Sequence, residues 1–242
     1  MNLIIDIGNS LLKVAIFDEG RLLEHFSCES LSDAMLQDLQ SRYPNVSRAI
    51  VASTGFPTVE VADLLRSRCI EVLEMTSLTP VPIGNDYLSP ETLGVDRLAA
   101  AVGAVEVMGC RDCLIVDFGT AITIDLVEGG VFRGGNISPG VRTRFRALHD
   151  YTSRLPLCQA TDEVLTLGRT TLEAIEQGVM EGITHEIEGY IRAFSLQNEK
   201  LMLIFTGGDA NFFVKRIKNA IFANCDLVLC GLNRILEYNA KN

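Results

Sequence analysis

One unit occurs twice in this chain, and it constrains the possible folds more than any other feature. Leu3 to Phe17 reads LIIDIGNSLLKVAIF, in which the apolar runs Leu3–Ile5 and Val14–Phe17 flank a polar turn carrying Gly8, Asn9 and Ser10. This is the pattern of two antiparallel strands joined by a tight turn, with Asp6 closing the first strand and Lys13 opening the second. Leu114 to Val127, LIVDFGTAITIDLV, aligns on it without a gap. Asp117 then falls on Asp6, Gly119 on Gly8 and Thr120 on Asn9. A strand, an acidic residue, a glycine turn and a second strand, once per half, imply a duplicated domain with a cleft between the copies.

The turn has a chemistry of its own. Gly-Asn-Ser exposes backbone N–H groups and small side-chain donors, which suit a phosphate chain. Lys13 adds a positive charge. Asp6 would repel a polyphosphate unless a divalent cation or its water shell lies between them. The residues therefore point to a nucleotide with Mg²⁺.

Bulk properties narrow the class. A chain of 242 residues can hold one large domain or two small ones. Its hydrophobic content of 48% and its mixed strand and helix patterns indicate a folded α/β protein. A net charge of −10 argues against general nucleic-acid binding, because a phosphate backbone would meet a repelling field. The sequence opens directly on a strand, so no cleavable leader is expected, and no apolar run reaches membrane-spanning length. Seven cysteines, with Cys69, Cys113, Cys225 and Cys230 in apolar segments, read as reduced, buried thiols of a cytoplasmic protein. Cys110-Arg-Asp-Cys113 has metal or redox spacing but no second pair, and it runs into a strand.

Along the first half, Arg21–Cys28 reads as a third strand, and Ser32 caps a helix with Met35, Leu36 and Leu39 on one side. Strand Arg48–Ser53, a helix opened by Thr58 with Val61, Leu64 and Leu65 inward, and strand Ile70–Met75 follow. Thr76 to Pro90 holds three of the seven prolines and reads as a binding loop that delivers Tyr87. A helix over Asp96–Met108 comes next, with Leu98, Val102 and Val105 at helical spacing. Asp96 and Arg97 thus lie in its first turn, where the helix dipole favours an ionised Asp96. Such a carboxylate can act as a general base, and Arg97 can hold an anionic group of a small substrate. Helix capping by Asp96 and a solvated Arg97 are the plainer alternatives.

In the second half, Gly134-Gly-Asn-Ile-Ser-Pro-Gly140 reads as a rigid turn cluster that lets a ligand approach the backbone. Arg142, Arg144, Arg146 and Arg154 read mainly as a solvated helix face, the alternatives being that they face phosphate or a partner subunit. Thr170-Thr-Leu-Glu173 is a capping box ahead of a long helix whose buried side carries Leu172, Ile175, Val179, Ile183, Ile187 and Ile191. Gly178 and Gly182 leave room for a close helix crossing, within the chain or across a dimer. Strand Leu201–Phe205 runs into Thr206-Gly-Gly-Asp209, where a glycine pair allows backbone contact with a flat ring such as adenine. Helix Ala210–Ile221, strand Leu227–Cys230 and helix Leu232–Tyr238 complete the reading. His25, His149 and His185 have no partner at ligand or triad spacing, and no G-x-S-x-G elbow occurs.

Taken in order, Asp6-Ile-Gly-Asn-Ser with Lys13, Leu93-Gly-Val-Asp-Arg97, Asp117-Phe-Gly-Thr-Ala, Gly134 to Gly140 and Thr206-Gly-Gly-Asp209 resemble the motifs of type III pantothenate kinases. The resemblance implies an α/β fold of the acetate and sugar kinase/actin-like superfamily. In that fold two ribonuclease-H-like domains with mixed sheets, here 1–112 and 113–242, enclose an ATP cleft. It implies phosphorylation of pantothenate by ATP, the first step of coenzyme A synthesis. Carried over by position, Asp6, Ile7, Gly8, Asn9, Ser10, Leu11, Leu12 and Lys13 match the ATP phosphate loop, and Thr120 a further ATP contact. Asp96 matches the proton acceptor. Tyr87, Gly94, Val95, Asp96, Arg97 and Thr171 match the pantothenate site. Asp117 matches a ligand of a monovalent cation, K⁺ or NH₄⁺, and Asp6 is the Mg²⁺ candidate. Homodimers using the region of Thr171 are implied, and Thr170 stands where the family commonly has Asn. No nucleic-acid or membrane partner is expected. The competing readings are another small-molecule kinase of the superfamily and a non-catalytic nucleotide-binding regulator.

Overall fold

In a computed structural model, the structure describes residues 1–9, 11–196, 198, 200–217, 221–222 and 226–240. Ser10 and Cys225 lie outside the described residues. The chain forms two compact units. The first takes in Met1–Arg111, Gly130–Phe132 and Asp226–Asn242, and the second Asp112–Gly129 and Arg133–Cys225. The C-terminal residues thus belong with the N-terminal ones.

The first unit is built on β1 (Asn2–Ile7), β2 (Leu12–Asp18), β3 (Arg21–Cys28), β4 (Arg48–Ser53) and β5 (Glu71–Glu74), in the sheet order β3-β2-β1-β4-β5. The β1–β2 and β2–β3 pairs are antiparallel, and β1, β4 and β5 run parallel. Strand alternation sorts β1 onto two faces. Leu3, Ile5 and Ile7 pack with Leu36 and Leu39 of α1 (Asp33–Arg42) and Leu65 of α2 (Val59–Ser67). Asn2, Ile4 and Asp6 face the other way. Ser32 caps α1 by accepting from the Met35 N–H at 3.2 Å.

Two helices back this unit. Helix α3 (Val95–Val102) runs into a π-helical turn, Gly103–Val107, and packs against α7 (Leu227–Asn239), which also touches β1 and β4. The apolar run Leu227–Cys230 is therefore helical, where the sequence suggested a strand. It is buried on one helix from Leu227 to Leu236, and an all-apolar tetrapeptide carries no period to tell the two apart. His25 finds a partner distant in sequence: its Nδ1 lies 2.7 Å from the buried Asp226 carboxylate at the start of α7. The loop after β5 holds the short β6 (Gly84–Asn85), paired with Val131 and Phe132.

The second unit repeats the topology. Its strands β7 (Cys113–Phe118), β8 (Ala121–Glu128), β9 (Val131–Pro139), β10 (Met202–Thr206) and β11 (Ile221–Phe222) take the order β9-β8-β7-β10-β11. The β7–β8 pair is again antiparallel, and β7, β10 and β11 again run parallel. This is a duplicated ribonuclease-H-like fold with mixed sheets. The two hairpins differ in one respect that an ungapped alignment hides. Asp6 pairs across its hairpin with Lys13, whereas Asp117 pairs with Thr123. The second loop is one residue shorter, closed by the Gly119 N–H on Ala121 O at 3.2 Å.

Helices α4 (Val141–Asp150), α5 (Thr171–Ser195) and α6 (Ala210–Val214) complete the second unit. The core brings Phe118, Phe205 and Phe213 together, with the Phe118 and Phe213 rings stacked at 4.5 Å. Several expectations are corrected here. Gly134–Pro139 continues β9 as an extended strand and is not a turn cluster. The helix expected over Ala210–Ile221 ends at Val214, and Ile221–Phe222 is a strand. Leu172 is 53% exposed and does not belong to the buried side of α5. Arg144 is not simply solvated: it pairs with Glu186, donates to Pro139 O at 2.8 Å and reaches the Ser138 hydroxyl at 3.1 Å.

Candidate active site

The first unit assembles most of the expected site. Asp6 ends up on the α3 and α7 face of β1 because it shares the parity of Asn2 and Ile4. There it is buried, and Lys13 stands opposite it in the hairpin register. Burial raises its pKa from 3.8 to about 6; Lys13 pulls it down, and the charge of Asp96 pushes it up further. Asp6, Lys13 and Asp96 are thus within electrostatic reach of one another, although Asp96 is remote in sequence.

Asp96 sits in the first turn of α3, but it is not the capping residue. Gly94 holds the N-cap position, and the Asp96 carboxylate accepts the N–H of Arg97 at 2.8 Å. A methyl group at Gly94 would stand 2.6 Å from the Asp96 Oδ1, so the absence of a side chain there keeps the carboxylate clear. The helix terminus was expected to favour the ionised form. Burial outweighs it: the Asp96 pKa is raised by desolvation first, against the N–H and guanidinium of Arg97 and the charge of Lys13, which lower it.

Arg97 is only 5% exposed. Its guanidinium lies 5.7 Å from the ring centre of Tyr87 and 5.8 Å from that of Phe132, and the two rings are 6.0 Å apart. The cation therefore lies against a pair of adjacent, tilted aromatic rings, within cation–π distance of both. The Tyr87 loop is fastened by the Tyr87 N–H on Asn85 Oδ1 at 3.0 Å and by the Asp86 N–H on Phe132 O at 2.9 Å. Val95 is buried just before the Asp-Arg pair. Sequence reasoning missed Phe132. Its apolar neighbour Val131 and the Gly129–Gly130 pair before it are a local signal for a strand start, but nothing local ties that strand to Tyr87.

Ile7, Gly8, Asn9, Leu11, Leu12 and Phe56 are among the residues that line a cavity of about 560 Å³. Ser10, expected among them, is outside the described residues.

The second unit carries the remaining positions. Asp117 sits near the end of β7, in register with Thr206 of β10. Gly207 follows with φ +93°, a conformation that glycine adopts without strain, and a methyl group there would overlap the Asp117 carboxylate and stand 2.6 Å from Phe118 N. The Thr120 carbonyl accepts from Gly140 N at 3.0 Å and from Thr143 Oγ1 at 2.8 Å, which fixes the hairpin tip against the start of α4. Thr171 is the exposed first residue of α5, after the capping box that Thr170 and Glu173 form. A cavity of about 550 Å³ opens between Val141, Phe145, Cys158 and Asp209, beside the glycine pair. Among the described residues, no group of three or more His, Cys, Asp or Glu is arranged to hold a metal by itself. Any cation near Asp6 would need oxygen from a ligand to complete its shell.

The family model and the curated relatives agree on one family. A family model described as type III pantothenate kinase matches residues 2–193. A type III pantothenate kinase of Phocaeicola vulgatus is 45% identical over 242 residues, covering all of both chains. One of Bacteroides fragilis is 44% identical over 240 residues, covering 99% of this chain and 98% of the relative. Among solved structures, a Baf-family protein of Campylobacter jejuni superposes with a TM-score of 0.66 at 24% identity, covering 99% of this chain and 100% of that one. An activator of 2-hydroxyisocaproyl-CoA dehydratase from Clostridium difficile, with bound ADPNP, gives 0.58 at 13% identity, covering 100% and 97%. At these identities the solved structures speak for the fold alone.

Proposed function

The chain belongs to the type III pantothenate kinase family, and from that membership we propose that it phosphorylates pantothenate with ATP and a divalent metal, through the residues assembled around Asp96. The observation that carries the assignment of roles is the meeting of Asp6, Lys13 and Asp96 in one unit, with Arg97 caged beside them.

The chemistry follows from the side chains. Phosphoryl transfer through a loose transition state needs positioning and charge neutralisation more than covalent help. Asp6 is a buried carboxylate with its pKa held up by desolvation and by a second acid, against Lys13, and a divalent cation would favour its ionised form. The residues fit Mg²⁺, which Asp6 would hold directly or through water and which supplies charge neutralisation at the phosphates. Lys13 and the N–H groups of the Gly8–Leu12 turn orient the triphosphate, and Thr120 adds a contact. The cavity beside Gly207 and Asp209 suits the base of the nucleotide. Arg97, set against the Tyr87 and Phe132 rings, binds the pantothenate carboxylate, with Gly94 and Val95 shaping the same turn. Asp96 accepts the proton of the primary hydroxyl, and its raised pKa makes it a better base than a solvated aspartate.

Three finer points belong to the proposal. Asp117 is the ligand of a monovalent cation, K⁺ or NH₄⁺. Thr171 contacts pantothenate. The chain works as a homodimer, which is supported by the exposed Val164, Leu167 and Leu172 around the start of α5 and by the open space over Gly178 and Gly182. The test is ADP release with Mg-ATP, with and without pantothenate, in K⁺ or Na⁺. Pantothenate-dependent release that is faster in K⁺ is expected. Release independent of pantothenate contradicts the substrate, and equal rates in both salts contradict the monovalent site.

A further inference from the structure

We propose that the C-terminal helix α7 is a positioning element of the phosphoryl-transfer site, with Gly231 and Gly103 setting the depth of α3 and Asn233 holding α7 to β1. One helix then fixes the spacing between the strand that carries Asp6 and the helix that carries Asp96. The inference rests on the roles assigned above to Asp96 and Arg97. It concerns a helix beyond residue 193, where the family match ends.

The crossing of α3 and α7 is backbone against backbone. A methyl group at Gly231 would overlap the carbonyl oxygen of Ala99, and would stand 2.7 Å from its carbonyl carbon and 3.0 Å from the Gly103 nitrogen. Those atoms form the hydrogen bond from Gly103 N to Ala99 O within α3. The contact is reciprocal, since a methyl group at Gly103 would stand 2.5 Å from the carbonyl oxygen of Leu227. No rotamer change relieves either clash, because the obstacles are main-chain atoms. At Gly178, Gly182 and Gly189 of α5, by contrast, nothing lies within 4 Å of such a methyl group.

The place of Ala99 in the helix makes the consequence local, for Ala99 is one turn from Val95 and Asp96. A displacement at the crossing is carried rigidly to Asp96 and Arg97. The other end of the clamp is a buried side-chain bond: Asn2 Nδ2 donates to Asn233 Oδ1 at 2.8 Å. Asn2 lies on the same face of β1 as Asp6. Asn233 also donates to Glu237 at 3.0 Å, and Arg234 donates to Glu106 of the π-helical turn at 3.0 Å. Thus α7 is fastened to β1, to α3 and to the turn that follows α3.

The test uses the full chain and separates positioning from simple loss of stability. Gly231→Ala is expected to lower kcat/KM for pantothenate by about 30- to 100-fold, the scale of an ångström misplacement of catalytic groups, with KM for Mg-ATP within about twofold. Leu36→Ala removes a buried side chain from the opposite face of the same sheet. Even with an equal loss of Tm, it is expected to keep pantothenate kinetics within about threefold. Should Gly231→Ala fail to fold, Gly103→Ala, whose methyl group meets a less severe clash, and Asn233→Ser, which adds no bulk, should show the same split at about five- to tenfold. The proposal is overturned if these variants lose Tm but keep wild-type pantothenate kinetics, or if they lose the kinetics of both substrates alike. Failure of the underlying reading looks different. An Asp96→Asn enzyme with full turnover removes Asp96 as the base, while a raised pantothenate KM in Gly231→Ala still supports positioning through Arg97.

Discussion

Asp6 shows what a residue type in a motif reveals and what it conceals. Its place at the end of an apolar strand was legible, and so was its proximity to Lys13, since a hairpin pairs them. Its burial within electrostatic reach of Asp96 was not, because that proximity depends on how α3 and α7 cover the sheet. The linkage has a definite sign. The folded pKa of about 6 lies above the ordinary 3.8, so ionised Asp6 destabilises the metal-free fold. The penalty is complete above pH 6 and vanishes below about pH 4, and two units correspond to about 3 kcal/mol. Asp6→Asn is therefore expected to stabilise the metal-free protein by about 1–3 kcal/mol at pH 7 and to give little gain at pH 4, as read from urea melts. A gain of the same size at both pH values would refute the burial argument. Arg97 was legible as a cation near the site, but its aromatic cage was not, since Phe132 comes from another strand. Phe132→Leu should raise KM for pantothenate by about 3- to 10-fold with little change in KM for ATP, the scale of one lost cation–π contact. Equal changes in both constants would contradict the cage.

At the scale of elements, the reading succeeded where the signal is local. The Ser32 cap, the Thr170 capping box and the strands of the first sheet all lie where side-chain chemistry and period put them. Thr170→Ala should cost about 1 kcal/mol in a urea melt, because it removes an oxygen that accepts the Glu173 N–H. No measurable cost would mean that the first turn of α5 is fastened by other contacts. The failures share a physical cause. The run Leu227–Cys230 is wholly apolar, so burial on all sides overrides any period. Gly134–Pro139, rich in turn residues, is nevertheless held in a strand because β8 lies beside it. The shorter second hairpin escaped an alignment of residue types, since pairing register depends on turn geometry and not on the flanking apolar letters.

At the scale of the molecule, the duplication was legible because each copy carries its own acidic hairpin, and the sheet order β3-β2-β1-β4-β5 recurs as β9-β8-β7-β10-β11. That the chain ends by returning to the first unit was not, for α7 bears no motif. The exposed apolar residues at the start of α5 and the uncovered Gly178 and Gly182 lead to a prediction about assembly. Light scattering should give twice the chain mass, and Gly182→Arg should halve it. A wild-type monomer would contradict the dimer. The central claim remains the role of Asp96, and one comparison tests it most directly: kcat of Asp96→Asn beside its affinity for Mg-ATP. The account predicts a fall in kcat of about 10²- to 10⁴-fold with ATP affinity nearly unchanged. An Asp96→Asn enzyme that turns over at the wild-type rate would contradict it.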